Sequence, residues 1–183
     1  MTDYMGNILE ELKQSSKEVN MNEFSSLINL INNAKHIFLS GAGRSGLVTQ
    51  CFANRLMHLG FSVNVVGEIS APHSSPGDLL VVCSSSGETA SLKSLVKKAK
   101  QSEVKVALVT ANKKSTLAKQ ADTILSLPGK RKNEKSNKND FFQPMGSSFE
   151  QLAFLTFDNI VLNFMEKKQE TSEMMHLRHA DFE

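Results

Sequence analysis

Apolar residues cluster along this chain in two alternating rhythms. The first is short, unbroken runs such as "LLVVC" at 79–83 and "VALVT" at 106–110. Runs of this kind suit strands buried on both faces, as in a parallel sheet. Strands are expected at His36–Ser40, Ser62–Val66, Leu79–Cys83, Val104–Thr110 and Thr123–Leu127. The second rhythm has helical spacing and fills the intervals, over about 45–59, 89–102 and 115–121. Two further helical patterns open the chain, over about 2–19 and 22–34. Strictly alternating strands and helices define an α/β protein, a three-layer sandwich with a five-stranded parallel sheet between helices.

Two segments stand outside that alternation. Residues 130–140, "KRKNEKSNKND", are polar throughout and read as a solvated, mobile loop. No aromatic residue interleaves their lysines to stack on a base, which argues against a nucleic-acid patch. Behind them a long helix is expected over about 147–167. Its residues Phe149, Leu152, Phe154, Leu155, Phe157, Ile160, Val161, Leu162 and Phe164 cover more than one face. A helix apolar nearly all round is buried on several sides, and in a small domain that points to a subunit interface. A last helical stretch ends in "MMHLRHADFE".

Length and charge narrow the picture. The 183 residues suit a single domain over 1–183, with N-terminal helices over about 2–34 and a C-terminal helix and tail over about 147–183. A formal charge of +2 is too small to imply nucleic acid or a membrane as partner. Cys51 and Cys83 form neither a metal-ligand spacing nor a disulfide framework. Neither a signal peptide nor a membrane span is visible, so a cytoplasmic location is expected.

The candidate chemistry sits in two loops. "HIFLSGAGRSG" at 36–46 carries G-x-G-x-x-G from Gly41 to Gly46, and Glu68 follows about twenty positions on. That is the layout of a dinucleotide site, with Glu68 as the ribose ligand. The chain is short for a dehydrogenase, which normally carries a second domain. The other loop, "CSSSGETASL" at 83–92, crowds Ser84, Ser85, Ser86 and Thr89 around Gly87 at a strand-to-helix turn. Such a turn exposes backbone N–H groups at the positive end of a helix. Hydroxyls add donors, so the loop suits a phosphate. The competing reading is that these hydroxyls only cap the helix and shape the turn. No G-x-x-x-x-G-K-[ST] motif is present, which excludes a P-loop nucleotidase.

"SGAGRSG" followed by "SSSGET" resembles the paired loops of the sugar isomerase (SIS) domain family. "RLMHLGF" at 55–61, "VVGE" at 65–68, "QPMGSSFEQ" at 143–151 and "RHADFE" at 178–183 resemble its 6-phospho-3-hexuloisomerase branch. Asp181 and Phe182 depart from the usual tail, and "SAPHSSPGD" at 70–78 is looser than usual. The resemblance implies a phosphosugar ligand rather than a dinucleotide. It makes Gly43, Arg44, Ser45, Ser84, Ser85, Ser86, Gly87, Glu88 and Thr89 candidate substrate-binding residues. Arg44 could sit over the sugar or bridge to an acidic residue. Glu68 reverts to a polar strand end.

The resemblance also implies interconversion of 3-hexulose 6-phosphate and fructose 6-phosphate through a cis-enediol(ate), without metal or cofactor. By spacing, "Ser147-Ser148-Phe149-Glu150" fits a capping box with Ser147 as N-cap. By resemblance, Glu150 is the proton acceptor. His179 lies five residues from the end in a tail that would ordinarily be solvated. By resemblance it is the second catalytic group, supplied in trans within a homo-oligomer, most simply a tetramer with shared sites. The implied pathway partner is 3-hexulose-6-phosphate synthase. The rival expectation is a phosphosugar-sensing SIS module, which would keep the loops and dispense with Glu150, or an isomerase of another phosphosugar.

Overall fold

A computed structural model describes residues 1–129 and 141–182. The loop expected over 130–140 lies outside the described residues. The chain opens with helices α1 (Met5–Ser16) and α2 (Met21–Asn33). It then runs β1 (Ile37–Gly41), α3 (Arg44–His58), β2 (Val63–Val65), β3 (Leu79–Cys83), α4 (Ala90–Gln101), β4 (Lys105–Thr110) and β5 (Thr123–Ser126). Helices α5 (Ser147–Lys168) and α6 (Ser172–His176) complete it. All five strands are parallel, in the order β2-β1-β3-β4-β5.

Strand β3 shows why the sheet is sandwiched. Leu79, Val81 and Cys83 point into a cluster with Leu27 and Ile31 of α2, Phe52 and Leu56 of α3, and Phe157, Ile160 and Phe164 of α5. Leu80 and Val82 point the other way, onto Leu92 and Val96 of α4. The period-two alternation of a strand thus feeds two cores, and a run apolar at every position is the consequence. Phe52 and Phe157 stack at 4.3 Å, tying α3 to α5. Truncating either ring to alanine would cost about 3–5 kcal/mol.

The expected sheet is present, and the strand ends differ from the expected ones by one residue at most. One expected helix is absent. Residues 115–121 form turns rather than an α-helix. Their start is tied to the loop before α4: Glu88 accepts from the Thr116 N–H and Gly87 O from the Leu117 N–H, while Lys119 N and Ala121 N make isolated helix-type bonds to Ser115 O and Leu117 O. A segment this short makes too few such bonds to offset the entropy of helix nucleation.

α5 starts and ends almost where expected. It buries Phe149, Leu152, Ala153, Phe157, Ile160 and Phe164, while Leu155 and Leu162 are exposed at 50% and 62%. No helix among the described residues is long and apolar enough to cross a membrane.

Candidate active site

The carboxyl ends of β1, β3 and β4 converge on one cavity of about 660 Å³. Ligands of open α/β sheets bind at this edge. β1 delivers Ala42, Gly43 and Ser45; β3 delivers Cys83 and the loop Ser84, Ser85, Ser86, Glu88 and Thr89. β4 delivers Asn112, and the start of α5 closes the wall with Met145, Gly146 and Glu150.

The first glycine motif is explained by packing at the strand-to-helix crossing. A Cβ on Gly41 would lie 2.9 Å from Gly46 N, and one on Gly46 would lie 2.8 Å from Gly41 O. The two glycines let the strand and the first turn of α3 touch. Ser45, at the second position of α3, is thereby held against the cavity floor and is 6% exposed. Glu68 lies elsewhere: its carboxylate accepts from Asn64 Nδ2 at 2.8 Å and Val65 N at 3.2 Å, beside β2. It is a strand-end residue, not part of this cavity.

The second loop presents donors. Thr89 is the N-cap of α4, yet its hydroxyl makes no capping bond. Ser85 Oγ is buried without a hydrogen-bond partner. The amides of Ser85, Ser86 and Thr89 donate to no partner among the described residues. The capping interpretation of the cluster therefore fails for Thr89. Ser84 Oγ does shape the turn, by accepting from Gly87 N at 3.2 Å. Gly87 lies behind the cavity wall with φ of +65°, packed on Ser115. Unpaired hydroxyls and amides at a helix N-terminus form a site for an anion.

Across the cavity stands Glu150, only 4% exposed. The expected capping box does not form. Gly146, at φ of +86°, takes the N-cap position with no side-chain bond. The left-handed turn at Gly146 instead brings Ser147 Oγ to accept from Arg44 Nη1 at 2.8 Å. The same guanidinium nitrogen lies 3.1 Å from Glu150 Oε2. Of the two readings of Arg44, the structure shows the bridge to an acidic residue. Arg44 is 57% exposed, so the pair has one buried and one solvated end.

Cys83, which sequence reasoning did not place in the site, sits on the floor between Ser45 and Glu150. Burial, reinforced by the Glu150 charge and opposed by a Ser45 hydrogen bond, pushes its thiol up to about 12. It stays protonated beside the carboxylate. Asn112 was also missed. Its only sequence signal was its place just after the β4 run, at the sheet edge where ligands bind. Glu88 lines the cavity, but its carboxylate is engaged by Thr116, whose N–H holds the carboxyl below its ordinary range, with Lys93 adding to the effect.

His179 does not reach this cavity in its own chain. Its ring stacks on that of His58 at 5.2 Å and 12°. Arg178 anchors the tail by binding Glu170 through both Nη atoms at 3.0 Å and donating to His58 O at 2.8 Å. His58 ends the helix that Arg44 begins. At 1.5 Å per residue that separation is about 21 Å. Among the described residues, no group of three or more His, Cys, Asp or Glu is placed to hold a metal ion.

The fold is shared with known proteins. The SIS domain family matches residues 30–155. The 3-hexulose-6-phosphate isomerase of Bacillus subtilis is 43% identical over 182 residues, covering 100% of this chain and 98% of that protein. The enzyme of the same name from Methanocaldococcus jannaschii is 35% identical over 160 residues, 87% of this chain and 84% of that one. A crystal structure of a Methanococcus jannaschii protein, from which a 3-hexulose-6-phosphate isomerase function was inferred, superposes with a TM-score of 0.81 at 32% identity. It covers 97% of this chain and 96% of that one. The chain belongs to the SIS domain family and, within it, to the 3-hexulose-6-phosphate isomerases.

Proposed function

We propose that this protein interconverts 3-hexulose 6-phosphate and fructose 6-phosphate. The observation that carries the reading is a buried carboxylate, Glu150, facing the hydroxyl-and-amide loop 84–89 across one cavity. The full-length relatives supply the identity of the substrate.

The phosphate rests on Ser45 and the loop Ser84–Thr89. A ketone at carbon 3 could close a five-membered ring only through the oxygen on carbon 6, which the phosphate blocks. The hexulose therefore arrives open. Glu150 takes the proton from carbon 2, the electron pair moves onto the carbon 3 oxygen, and a 2,3-enediolate forms. Returning the proton to carbon 3 and moving the hydroxyl proton from oxygen 2 to oxygen 3 leaves the carbonyl at carbon 2. A histidine suits the oxygen-to-oxygen transfer near neutral pH. His179 fills that role from a neighbouring subunit, because its own cavity is out of reach. Exposed Leu155 and Leu162 on α5 give subunits an apolar face to share, and a closed tetramer with composite sites accommodates both features. The supplying reaction is a synthase that joins formaldehyde to ribulose 5-phosphate, in the cytoplasm.

The test is isotope exchange. Incubated with fructose 6-phosphate in deuterated water, the protein should place deuterium at carbon 3 and yield the 3-hexulose. Exchange at carbon 1 instead identifies another phosphosugar isomerase, and no exchange at all identifies a sensor.

A further inference from the structure

The loop that faces the phosphate is held from behind by a single segment, residues 110–117. Ser85 O accepts from Ala111 N at 3.1 Å and from Thr110 Oγ1 at 3.2 Å. Ser86 O accepts from Asn112 Nδ2 at 3.2 Å, and Gly87 O from Leu117 N at 3.2 Å. Three successive carbonyls are thus drawn away from the cavity. Carbonyl oxygens facing a phosphate would repel it, whereas the amides left facing inward attract it.

Glu88 is the strongest of these ties. Its Oε1 accepts from Thr116 N at 2.7 Å, and its Oε2 from Thr116 Oγ1 at 2.8 Å. Lys93 Nζ lies 3.4 Å from the same Oε2. A carboxylate beside a phosphate dianion is unfavourable by Coulomb's law. Its presence in this loop calls for a compensating role, and two hydrogen bonds to the turn supply one. The two segments also touch without slack: a Cβ on Gly87 would lie 2.0 Å from Ser115 Oγ.

We infer that Glu88 is a positioning residue rather than a phosphate ligand: with Thr116 it latches the 110–117 turn onto the loop 84–89 and so holds the loop amides toward the substrate phosphate. The inference rests on the phosphosugar reading of the cavity. It assigns the turn after β4 to the binding machinery, although only Asn112 of that turn lines the cavity.

The experiment is calorimetric titration of the full chain with inorganic phosphate and with fructose 6-phosphate, for the wild type, Glu88→Ala, which removes both bonds to Thr116, Thr116→Val, which removes the hydroxyl bond, and the double variant. Losing one hydrogen bond to a charged group should raise both dissociation constants about tenfold in Thr116→Val, and losing both should raise them further in Glu88→Ala. The double variant should be no worse than Glu88→Ala, because that change already removes the bond that Thr116→Val deletes. Thr116→Ser, which restores the hydroxyl, should bind as wild type does. In turnover, the loss should fall on KM rather than on kcat. Melting temperatures, measured alongside, keep a variant that is simply unfolded from counting as a loss. Wild-type binding by Glu88→Ala would overturn the latch. Additive losses in the double variant would overturn it too. Phosphate binding reads the latch without turnover. A wild type that binds phosphate but exchanges no deuterium at carbon 3 refutes the isomerase reading alone.

Discussion

Glu150→Gln separates chemistry from binding in this cavity. The amide has nearly the shape of the carboxylate and leaves the Arg44 Nη1 bond to Ser147 Oγ in place. What it loses is the ability to take a proton from carbon. A positioned general base contributes about 10²–10⁴ in rate, or about 2.7–5.4 kcal/mol of barrier. The fold should tolerate the change. Arg44 is 57% exposed and remains hydrated when its partner becomes neutral. Breaking a pair with so solvated an end costs about 1 kcal/mol or less. The phosphate loop hangs from β3 and α4, not α5, so phosphate affinity should hold. The assay is nuclear magnetic resonance of fructose 6-phosphate in deuterated water, following carbon 3, beside a phosphate titration and a thermal melt. Exchange should fall at least a hundredfold with phosphate affinity and melting temperature near wild type. Exchange within tenfold of wild type, in a protein that melts and binds normally, would remove Glu150 from the role of base.

Other consequences follow from the same geometry. Glu150→Gln and His179→Ala, each inactive alone, should recover part of the activity when co-expressed as verified mixed oligomers; mixed oligomers that stay inactive refute the shared site. Gly87→Ala combines a positive φ of +65° with a Cβ 2.0 Å from Ser115 Oγ. It should weaken phosphate binding about tenfold or more, with partial recovery on adding Ser115→Gly; wild-type binding by the alanine variant would show that the loop and turn can separate freely. With Cys83 pushed up to about 12 and buried, and Cys51 exposed, iodoacetamide at pH 8 should alkylate Cys51 in the native protein and Cys83 only after denaturation. Native labelling of Cys83 at the rate of Cys51 would contradict the burial.

The elements that could be read from the chain are those whose local pattern and tertiary role coincide. β3 is apolar at all five positions because both of its faces are covered, and unbroken runs of that kind report this state. The stretch 115–121 shows the converse. Its composition permits a helix, but Glu88, 28 residues away from Thr116, ties the segment to the loop before α4 instead. A side chain so distant in sequence leaves no trace in a local window. The same holds for the start of α5, where Ser-x-x-Glu spacing suggested a capping box. A left-handed Gly146 and an arginine 103 residues from Ser147 redirected both side chains.

The site divides along the same line. Loop 84–89 was legible because its donors are consecutive and its helix begins within it. Ser45 was legible through the glycines that set its turn. Cys83 and Asn112 were not, since a cysteine ending an apolar run and an asparagine after one are ordinary there; only the convergence of β1, β3 and β4 makes them neighbours. His179 was singled out by resemblance, not by any local pattern. Within the protomer its ring rests on His58, at the opposite end of α3 from Arg44. Arg178 fixes that arrangement through Glu170, so the tail has a defined place without reaching its own cavity. His58 lies a rise of about 21 Å along α3 from Arg44, and the contacts that carry the tail to that end, Arg178 with Glu170 and with His58 O, join residues whose pairing no local pattern announces.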